Sequence, residues 1–516
     1  MSDNIILIGF MGTGKDTIGR LLAEKLNRPF LSTDRMIELA ENKTIKEIFT
    51  EKGEDYFRKR ERWVLEMIRG IKNTAIATGG GMVIDPRNRL KLKNLGVVVH
   101  LFADLGILKK RIITENHRPL IRTITDIERL YRKRQGIYDF AKLSIDTTAM
   151  SPDFIVNKIV NQLNLKPIDK TAKEAKIYIK TESKDYPVII GYDITEHLSI
   201  RNKRIVIITN PLVGALHLDK VLRHLKKDGN QVYEIIVPDG EEHKNFETVK
   251  MVCDSLLELN FQRQDIIISL GGGVITDIAG FVASIFKRGC RLVHIPTTLL
   301  GQVDAALGGK TGINTSYGKN MLGTFYQPEK VICDIKMLLS LPENEFRNGI
   351  AEVIKYSIIN SKRMFYLLQK ERRQILARKP SLLFEIIKDC VSIKASIVSK
   401  DEKEKKGFRE ILNFGHTIGH IIETATEYKK YSHGEAIAIG MVKEISIFNK
   451  NKKEINKIVD LLEGYSLPFN LPEEIKRCIK KLIAQDKKMG GEKIKIPVFE
   501  KIGRVRVKEV LCRKFF

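Results

Sequence analysis

The first part of the chain alternates short apolar runs with longer stretches in which apolar residues recur every three or four positions. Apolar runs lie at 4–8, 29–31 and 74–77, and the first leads through a glycine-rich loop into an amphipathic stretch at 18–26. Short apolar runs bounded by turn residues predict buried strands, and a 3.6-residue period predicts a helix. The pattern therefore predicts a strand, a glycine loop and a helix in succession.

The middle and the end of the chain differ in pattern. Strand patterns alternate with helical stretches in the middle, at 177–179, 187–190, 204–209, 231–237 and 266–270. This alternation predicts a Rossmann-like α/β domain with a largely parallel sheet. From about residue 336 the period becomes helical, and helices are predicted at 346–359, 363–368, 382–398, 411–424, 434–448 and 453–462. The last part of the chain is therefore predicted to be an α-helical domain.

At 516 residues, the chain is too long for a single hydrophobic core. The stretch around 165–176 is charged and has no apolar period, as is typical of a linker between domains. We expect an N-terminal domain at 1–165, a linker at 166–175, an α/β domain at 176–335 and a helical domain at 336–516.

The formal net charge is +26, which raises the question of nucleic acid binding. The lysines lie among acidic residues and only 7% of residues are aromatic, so solvated surface and small anionic substrates explain the charge better. No apolar run has the length of a membrane span, the N-terminus has no cleavage-site pattern, and the six cysteines are scattered. We expect a cytoplasmic protein that binds neither nucleic acid nor membrane.

The loop after the first strand has the composition of a phosphate-binding loop. It contains Gly9, Gly12 and Gly14, followed by Lys15, Asp16 and Thr17 at the start of the helix. Backbone N–H groups of such a loop close on phosphate oxygens, and the lysine adds a positive charge near the β- and γ-phosphates. The residue after the lysine is usually Ser or Thr, which holds Mg²⁺, whereas this chain has Asp16.

Further polar positions complete a resemblance to shikimate kinase, a small nucleoside-monophosphate-kinase-like P-loop fold, over residues 1–165. They lie at 32–34, 53–58, 78–81, 111, 117–120 and 134–138. The resemblance implies that Asp34, Arg58 and Arg134, with the backbone of Gly79, Gly80 and Gly81, bind shikimate. It also implies that Asp34 orients the attacking hydroxyl, that Arg118 in a lid reaches the transferred phosphoryl group, and that Arg111 stacks on adenine.

Two positions depart from the kinase pattern. Asp16 stands where a hydroxyl residue is usual, and Ser32 stands where the family usually has an aspartate. Both positions serve Mg²⁺, and aspartate is a good ligand for this ion. Our hypothesis is that the carboxylate has moved from one side of the metal to the other, with Asp16 as the metal ligand. A kinase impaired by the charge of Asp16 near the phosphates is the alternative.

A second glycine loop follows the predicted strand at 266–270. It contains Gly272 and Gly273 and runs through Asp277 into a predicted helix at 278–284, the arrangement of a pyrophosphate-binding site. The segments 238–244 and 294–298 each lie after the end of another predicted strand. Because strand ends on one edge of an open sheet bind ligands, we expect a cofactor there. Downstream, Lys310, Lys319 and Asn320 favour an anionic ligand.

Three of the ten histidines cluster near residue 420. His416 and His420 are four residues apart, so they share one face of a helix, and His433 follows a polar loop. Imidazole is a common zinc ligand, and catalytic zinc keeps three protein ligands. With Arg409 and Asn413 nearby, the pattern favours a metal or anion site over structural histidines, and spacing alone would choose His416 with His420 as ligands.

The strings GGGVITDIAGFVAS, HIPTTLLGQVDAALGGKTGIN, GKNMLGTFYQP, AEVIKY, LNFGHTIGH and HGEAIAIGM occur in the order found in 3-dehydroquinate synthase. The resemblance covers about 176–516. It implies that Glu352, His416 and His433 bind the metal, zinc or cobalt, and that His420 lies on the substrate side. It implies substrate or catalytic contacts at Asp304, Lys310, Lys355, Arg409, Asn413, Arg288, Lys394 and Lys487. NAD contacts are implied at Glu241, Lys244, Gly272, Gly273, Asp277, Thr297, Thr298, Lys310, Lys319, Asn320 and Ser340.

Together the two resemblances imply a bifunctional enzyme of aromatic amino acid biosynthesis and a homodimer. One activity is ATP- and Mg²⁺-dependent phosphorylation of shikimate. The other converts 3-deoxy-arabino-heptulosonate 7-phosphate to 3-dehydroquinate with release of phosphate, NAD taking and returning a hydride and the metal polarising a carbinol oxygen. The alternative is another sugar-phosphate cyclase, or a glycerol-dehydrogenase-like enzyme, fused to an impaired P-loop module.

Overall fold

A computed structural model describes residues 4–114, 124–449, 451–471, 473, 475–477 and 493–511. The described chain forms two units. Unit 1 comprises Met1–Lys170, Leu198–Phe261 and Lys336–Glu343, and unit 2 comprises Thr171–His197, Gln262–Ile335 and Asn344–Phe516. The domain limits expected from the sequence stay a prediction, because these units combine segments that are distant in the chain.

The strands are short, and most follow an apolar run of the sequence. They are β1 (Ile5–Ile8), β2 (Phe30–Ser32), β3 (Ala75–Ala77), β4 (Val97–Phe102), β5 (Leu143–Asp146), β6 (Ala175–Ile179), β7 (Tyr186–Gly191), β8 (Arg204–Thr209), β9 (Gln231–Ile236), β10 (Ile266–Gly271), β11 (Arg291–Pro296), β12 (Lys310–Thr315), β13 (Gly318–Phe325), β14 (Lys330–Asp334), β15 (Lys493–Lys501) and β16 (Arg504–Leu511).

The α-helices alternate with these strands until residue 343 and dominate afterwards. They are α1 (Lys15–Lys25), α2 (Thr33–Glu41), α3 (Ile45–Met67), α4 (Pro86–Leu95), α5 (Leu105–Thr114), α6 (Ile124–Lys133), α7 (Pro152–Gln162), α8 (Pro211–Val213), α9 (Asp219–Lys227), α10 (Phe246–Glu258), α11 (Gly273–Ile285), α12 (Glu343–Asn360), α13 (Lys362–Lys370), α14 (Arg372–Leu376), α15 (Pro380–Val398), α16 (His416–Ala425), α17 (His433–Phe448) and α18 (Lys452–Gly464).

In unit 1, a five-stranded sheet has the order β2-β3-β1-β4-β5, and every neighbouring pair in it is parallel. All four residues of β1 are buried, because this central strand is covered on both faces. Strands β8 and β9 of the same unit pair in parallel with each other. The carboxyl end of β1 therefore opens at the edge of a parallel sheet, where the glycine loop begins.

In unit 2, the strands β6, β7, β14, β11 and β10 are neighbours in that order. The pair β6–β7 is antiparallel, and the pairs β7–β14, β14–β11 and β11–β10 are parallel. The α/β prediction is thereby confirmed for both halves. The helical C-terminal part also contains a β15–β16 hairpin that the sequence analysis did not predict.

One predicted helix is wrong in extent. The sequence pattern predicted a continuous helix at 411–424, whereas the structure has a 3₁₀ turn at Arg409–Asn413 and begins α16 at His416. Gly415 separates the two with φ 82°, a left-handed conformation that ends helical hydrogen bonding. The break places His416 in the first turn of α16. Among the described residues, no helix has both the length and the apolar character that a membrane span requires.

Candidate active sites

The loop between β1 and α1 has a backbone shape that strongly favours glycine. Gly9, Gly12 and Gly14 have φ values of 151°, 80° and 83°, and a Cβ at Gly9 would lie 2.2 Å from the carbonyl oxygen of Leu101. The Nζ atom of Lys15 donates to the carbonyl oxygens of Gly9 and Phe10, both at 3.1 Å. The ammonium group is therefore held at the mouth of the loop, where it can meet phosphate oxygens.

A cavity of about 610 Å³ lies against this loop. Its walls contain most of the kinase residues proposed from the sequence, namely Gly12, Gly14, Lys15, Asp16, Thr17, Asp34, Arg58, Gly79, Gly80, Gly81 and Arg134. These residues come from five separate segments, and three of the segments directly follow β1, β2 and β3 at one edge of the parallel sheet. The arrangement combines a phosphate loop with arginines, which suit a carboxylate.

Arg58 lies between two carboxylates on α3. Its Nη1 donates to Glu61 Oε2 at 2.8 Å, and its Nη2 donates to Glu54 Oε1 at 2.6 Å. Glu61 is 1% exposed, and its burial, outweighing Arg58, raises its pKa to about 7. The sequence analysis missed Glu61, although its position three residues after Arg58, on the same helix face, was a usable signal.

The other predicted kinase residues have defined positions. Arg134 donates to the carbonyl oxygen of Gly80 at 3.0 Å, and Arg111 donates to the carbonyl oxygen of Thr147 at 2.8 Å. Asp16 is an exposed residue in the first turn of α1, and Ser32 is buried at the N-cap of α2. Arg118 lies outside the described residues.

In unit 2, three side chains from different helices converge. Glu352 on α12, His416 on α16 and His433 on α17 each offer one ligand atom, and these atoms lie within 4.8 Å of one another. Glu352 Oε1 is 3.5 Å from Nε2 of His416 and 3.5 Å from Nε2 of His433. The Nδ1 atom of His416 is 3.3 Å from the carbonyl oxygen of Phe414, which orients Nε2 towards Glu352.

Nearby charges and burial keep the carboxylate of Glu352 charged and the imidazole of His416 neutral. Burial would raise the pKa of Glu352, but Lys355, His416 and His433 outweigh burial and lower it to about 2. Burial, with Lys355 nearby, lowers the pKa of His416 to about 3. Both oxygens of Glu352 are buried; Oε2 forms an ion pair with Lys355 Nζ, and Oε1 faces the two imidazoles. A buried carboxylate with two imidazoles suits a divalent cation such as zinc.

His420 does not belong to this cluster of ligand atoms, although spacing alone paired it with His416. Its ring packs edge-on against the ring of His416, with centroids 5.4 Å apart. Glu423, one turn further along α16, lies 3.6 Å from Nδ1 of His433. Lys319, a predicted NAD contact, lies 3.1 Å from Glu423. The second imidazole of the cluster therefore comes from α17, which sequence spacing could not indicate.

Asp304 lies in the short π-helical turn Gly301–Ala305 and accepts hydrogen bonds from two other helices. Its Oδ1 accepts hydrogen bonds from Lys394 Nζ at 2.7 Å and from the hydroxyl of Tyr356 at 2.6 Å. Although burial opposes it, Lys394 and Lys355 hold the pKa of Asp304 well below its usual range. Burial lowers the pKa of Lys394 to about 8. Tyr356 was missed, because a tyrosine within a helix resembles an ordinary core residue.

The remaining predicted anion contacts have mixed environments. Buried Arg409 donates to the carbonyl oxygens of Glu402 at 2.8 Å and Gly308 at 3.3 Å. Lys310 is half exposed and pairs with Glu404 at 2.5 Å, and exposed Asn413 donates to Glu410 at 2.9 Å.

Arg288 and Lys487 are the two further substrate contacts that the resemblance implied. Arg288 is exposed in a left-handed conformation, with φ 62°. Lys487 lies outside the described residues.

The loop from β10 to α11 consists of glycines, so backbone N–H groups rather than side chains lie at the start of α11. Gly272 is the N-cap of α11 and supplies no capping side chain, and a Cβ there would lie 2.9 Å from Thr298 Cγ2. A Cβ at Gly273 would lie 3.4 Å from that of Ala305. Thr297 Oγ1 is buried and has no hydrogen-bond partner among the described residues. An uncapped helix N-terminus beside a buried hydroxyl suits a pyrophosphate group such as that of NAD.

The other predicted NAD contacts are distributed over the chain. Asp277 lies in α11, and Asn320 in β13 donates its backbone N–H to Asn314 Oδ1 at 2.9 Å. Glu241 and Lys244 lie at the 3₁₀ turn Glu241–His243, and Ser340 is buried within the Lys336–Glu343 segment, all in unit 1.

Comparison with known proteins places both halves of the chain. Residues 11–164 match the family model of shikimate kinase, residues 234–348 that of 3-dehydroquinate synthase N-terminal, and residues 349–489 that of 3-dehydroquinate synthase C-terminal. A bifunctional shikimate kinase/3-dehydroquinate synthase from Thermotoga maritima is 33% identical, with 98% of each chain covered. A 3-dehydroquinate synthase from Thermodesulfovibrio yellowstonii is 46% identical, over 59% of this chain and 86% of the relative.

A solved structure shares the fold of the later part. The structure of 2-deoxy-scyllo-inosose synthase complexed with carbaglucose-6-phosphate, NAD⁺ and Co²⁺ is similar with a TM-score of 0.56 and 25% identity. The match covers 66% of this chain and 98% of that structure.

Proposed function

The chain belongs to the bifunctional shikimate kinase/3-dehydroquinate synthase family, and from that premise we propose how its residues divide the chemistry. The N-terminal part phosphorylates shikimate with ATP, and the rest of the chain is an NAD- and metal-dependent 3-dehydroquinate synthase. Both activities belong to aromatic amino acid biosynthesis. Similarity along 98% of the chain to a relative that carries both activities is the observation on which this function rests.

In the kinase, we propose that shikimate lies in the 610 Å³ cavity with its carboxylate on Arg58 and Arg134 and its hydroxyls on Asp34 and the backbone of Gly79–Gly81. Planar guanidinium groups match a carboxylate in two-point hydrogen bonds. Asp34 orients the attacking hydroxyl, and Lys15 with Arg118 neutralises charge on the transferred phosphoryl group. Phosphoryl transfer depends mainly on positioning and charge stabilisation, so these residues supply its main requirements.

Around the nucleotide, Gly12, Gly14 and Thr17 hold the phosphates, and Arg111 contacts the adenine. Asp16 takes the place of the usual hydroxyl residue and binds Mg²⁺. Its exposure in the first turn of α1, on the wall of the cavity, supports this role, since a carboxylate there can reach an ion at the phosphates.

In the synthase, we propose that Glu352, His416 and His433 hold the divalent metal, zinc or cobalt. The metal supplies polarisation of a substrate oxygen, and NAD supplies reversible acceptance of a hydride. The chain's own part is to fix the substrate: Lys355 and His420 lie beside the metal ligands, and Asp304 fixes the ammonium group of Lys394 at 2.7 Å. Lys310, Arg409, Asn413, Arg288 and Lys487 contribute further contacts to the carboxylate and phosphate of the substrate.

The dinucleotide is assigned to the loop from β10 to α11 and the strand ends near it. The proposed contacts are Glu241, Lys244, Gly272, Gly273, Asp277, Thr297, Thr298, Lys310, Lys319, Asn320 and Ser340. The uncapped N-terminus of α11 and the buried hydroxyl of Thr297 support the pyrophosphate position. The position of Lys319 beside Glu423, which contacts His433, brings one of these residues near the proposed metal ligands.

We propose that the enzyme is a homodimer in the cytoplasm. Large apolar side chains are exposed on the β12–β13 hairpin and at the end of the adjacent helix α11, and their burial against a second copy would support a dimer. They are Ile285, Tyr317, Met321, Leu322 and Phe325. The four described cysteines are free, which agrees with a reducing compartment. Sedimentation of the purified chain tests the assembly, and a monomer at micromolar concentration would contradict it.

Two assays on one preparation test the function. The full chain should release phosphate from 3-deoxy-arabino-heptulosonate 7-phosphate only with NAD and a divalent metal, and should phosphorylate shikimate with ATP and Mg²⁺. The Lys15→Met variant should lose the second activity alone, and Glu352→Gln the first alone. Loss of both activities in either variant, or turnover of glycerol in place of the phosphorylated acid, would contradict the assignment.

A further inference from the structure

Unit 1 contains more than the kinase, because it joins Met1–Lys170 with the segments Leu198–Phe261 and Lys336–Glu343 of the synthase. The helix α2 lies at this junction. Asp34 and Glu38, one turn apart on α2, line the proposed shikimate cavity. On another side of the same helix, the Cδ1 atom of Leu39 lies 3.0 Å from the position that a Cβ of Gly214 would take.

The segment that meets α2 is α8 and the π-helical turn Gly214–Leu218 that continues it. Leu212, Ala215 and Leu216 of this segment pack against the buried core of the kinase that includes Met36 and Ile37 of α2. The contact is apolar at its centre, as in a stable interface. A π-helical turn is rare and often marks a functional position, so its place against α2 calls for an explanation.

Polar contacts surround the apolar centre. Asn73 Nδ2 donates to the carbonyl oxygen of Leu339 at 3.2 Å, and Glu343 donates its backbone N–H to the carbonyl oxygen of Gly70 at 3.1 Å.

Ion pairs join the same two parts of the chain. Arg20 pairs with Asp219 at 3.0 Å, Arg35 with Glu234 at 3.6 Å, and Lys72 with Glu343 at 2.7 Å. Exposed pairs contribute little free energy, but together with the buried Asn73 they fix one orientation of the kinase on these segments.

Residues of the same segment also contact the region of the proposed NAD contacts in unit 1. Asn210 caps α8 by accepting from the backbone N–H of Val213 at 2.9 Å, and its Nδ2 donates to Asp239 Oδ1 at 2.5 Å. Asp239 precedes Gly240 and Glu241, and Glu241 is one of the proposed NAD contacts. His217 Nε2 lies 3.5 Å from the hydroxyl of Ser340, another of those contacts.

We propose that residues 210–218 couple the two active sites, so that NAD binding in the synthase strengthens shikimate binding in the kinase. The inference rests on the proposed function of both sites. NAD contacts at Glu241 and Ser340 restrain Asn210 and His217, and close-packed side chains transmit that restraint to α2, which holds Asp34. Coupling of this kind is reciprocal, so shikimate tightens NAD by the same factor.

The test is a pair of calorimetric titrations on the full chain. Shikimate is titrated with and without saturating NAD, and NAD with and without saturating shikimate. We expect each ligand to tighten the other by roughly fivefold, the lower end of common coupling. The variant Leu216→Asp should reduce both factors to one, and Leu257→Asp, an exposed leucine on α10, should leave them unchanged as a matched control.

Hydrogen exchange of the wild type gives a result that does not depend on any variant. NAD should slow amide exchange in residues 33–41 and leave α4 unaffected. Binding of both ligands with unchanged affinities, or coupling that survives Leu216→Asp, would overturn this proposal alone. Failure of either ligand to bind the wild type would overturn the proposed function, and this inference with it.

Discussion

Arg58 donates a hydrogen bond to Glu61 at 2.8 Å, yet burial raises the pKa of Glu61 to about 7. An unfolded glutamate titrates near 4.5, so the folded protein holds this proton over a window in which the unfolded chain releases it. Stability of the kinase part should therefore fall as pH rises from about 4.5 to 7, by on the order of 3 kcal/mol, and level off above.

The variant Glu61→Gln should remove that slope, because the amide does not titrate. Trp63, the only tryptophan of the chain, lies on the same helix and reports on this part during urea unfolding. The control is Glu66→Gln, an exposed carboxylate on α3, which should keep the slope. Equal slopes in wild type and Glu61→Gln would show that Glu61 is charged in the folded protein across this range.

The Mg²⁺ exchange hypothesis predicts a rescue. Asp16→Ser should raise the Mg²⁺ concentration that half-saturates shikimate phosphorylation by roughly tenfold, since a charged ligand is lost. Adding Ser32→Asp to that variant should restore much of the affinity. Asp153→Ser, an exposed aspartate in the first turn of α7, is the control. If Asp16→Ser greatly increased kinase activity and Ser32→Asp had no further effect, the impaired-kinase alternative would be correct.

The hydroxyl of Tyr356 donates to Asp304 at 2.6 Å in the synthase part. Tyr356→Phe leaves a buried carboxylate with one donor fewer, so the variant should lose roughly 1–3 kcal/mol of stability and part of its synthase kcat. Tyr366→Phe, at an exposed tyrosine of α13, should change neither. Denaturant unfolding measures the stability, and steady-state kinetics measure the synthase activity. An unchanged kcat in Tyr356→Phe would show that the hydrogen bond from Tyr356 to Asp304 does not contribute to the synthase reaction.

Gly415 determines where α16 begins, and with it the position of His416. Its φ is 82°, and a Cβ there would lie 2.6 Å from Met441 Cγ and 3.0 Å from the carbonyl oxygen of Ile437. Gly415→Ala should therefore cost at least about 1 kcal/mol and weaken zinc binding by tenfold or more. Gly106→Ala, where a Cβ meets nothing within 4 Å, is the control. Normal zinc affinity in Gly415→Ala would contradict this account of the site.

The sequence predicted the α/β layers well, because buried strands such as β1 and β10 are continuous apolar runs with glycine loops at their ends. It predicted the helix at 411–424 incorrectly, since a left-handed Gly415 leaves little trace in a helical period. The β15–β16 hairpin was missed because its alternation lies in a lysine-rich stretch. Spacing on one helix favoured His420 as a metal ligand. The structure instead brings together side chains from α12, α16 and α17, and the packing of these three helices cannot be read from the spacing of residues within any one of them.

Glu61 and Tyr356 were missed for a related reason. Each acts on a neighbouring charged residue, and a buried carboxylate or hydroxyl looks like any other helix position until its partner is known. The contact between α2 and residues 211–218 joins segments far apart in the chain, and no period in either segment points to the other.

The central claim is that Glu352, His416 and His433 bind one divalent metal ion. The most direct measurement is titration of the metal-stripped full chain with Co²⁺, followed by visible absorption, for wild type and for Glu352→Gln, His433→Ala and His420→Ala. We predict one tight site in wild type and in His420→Ala, and its loss in the other two. A tight Co²⁺ site that survives both Glu352→Gln and His433→Ala, or that disappears in His420→Ala alone, would contradict the account.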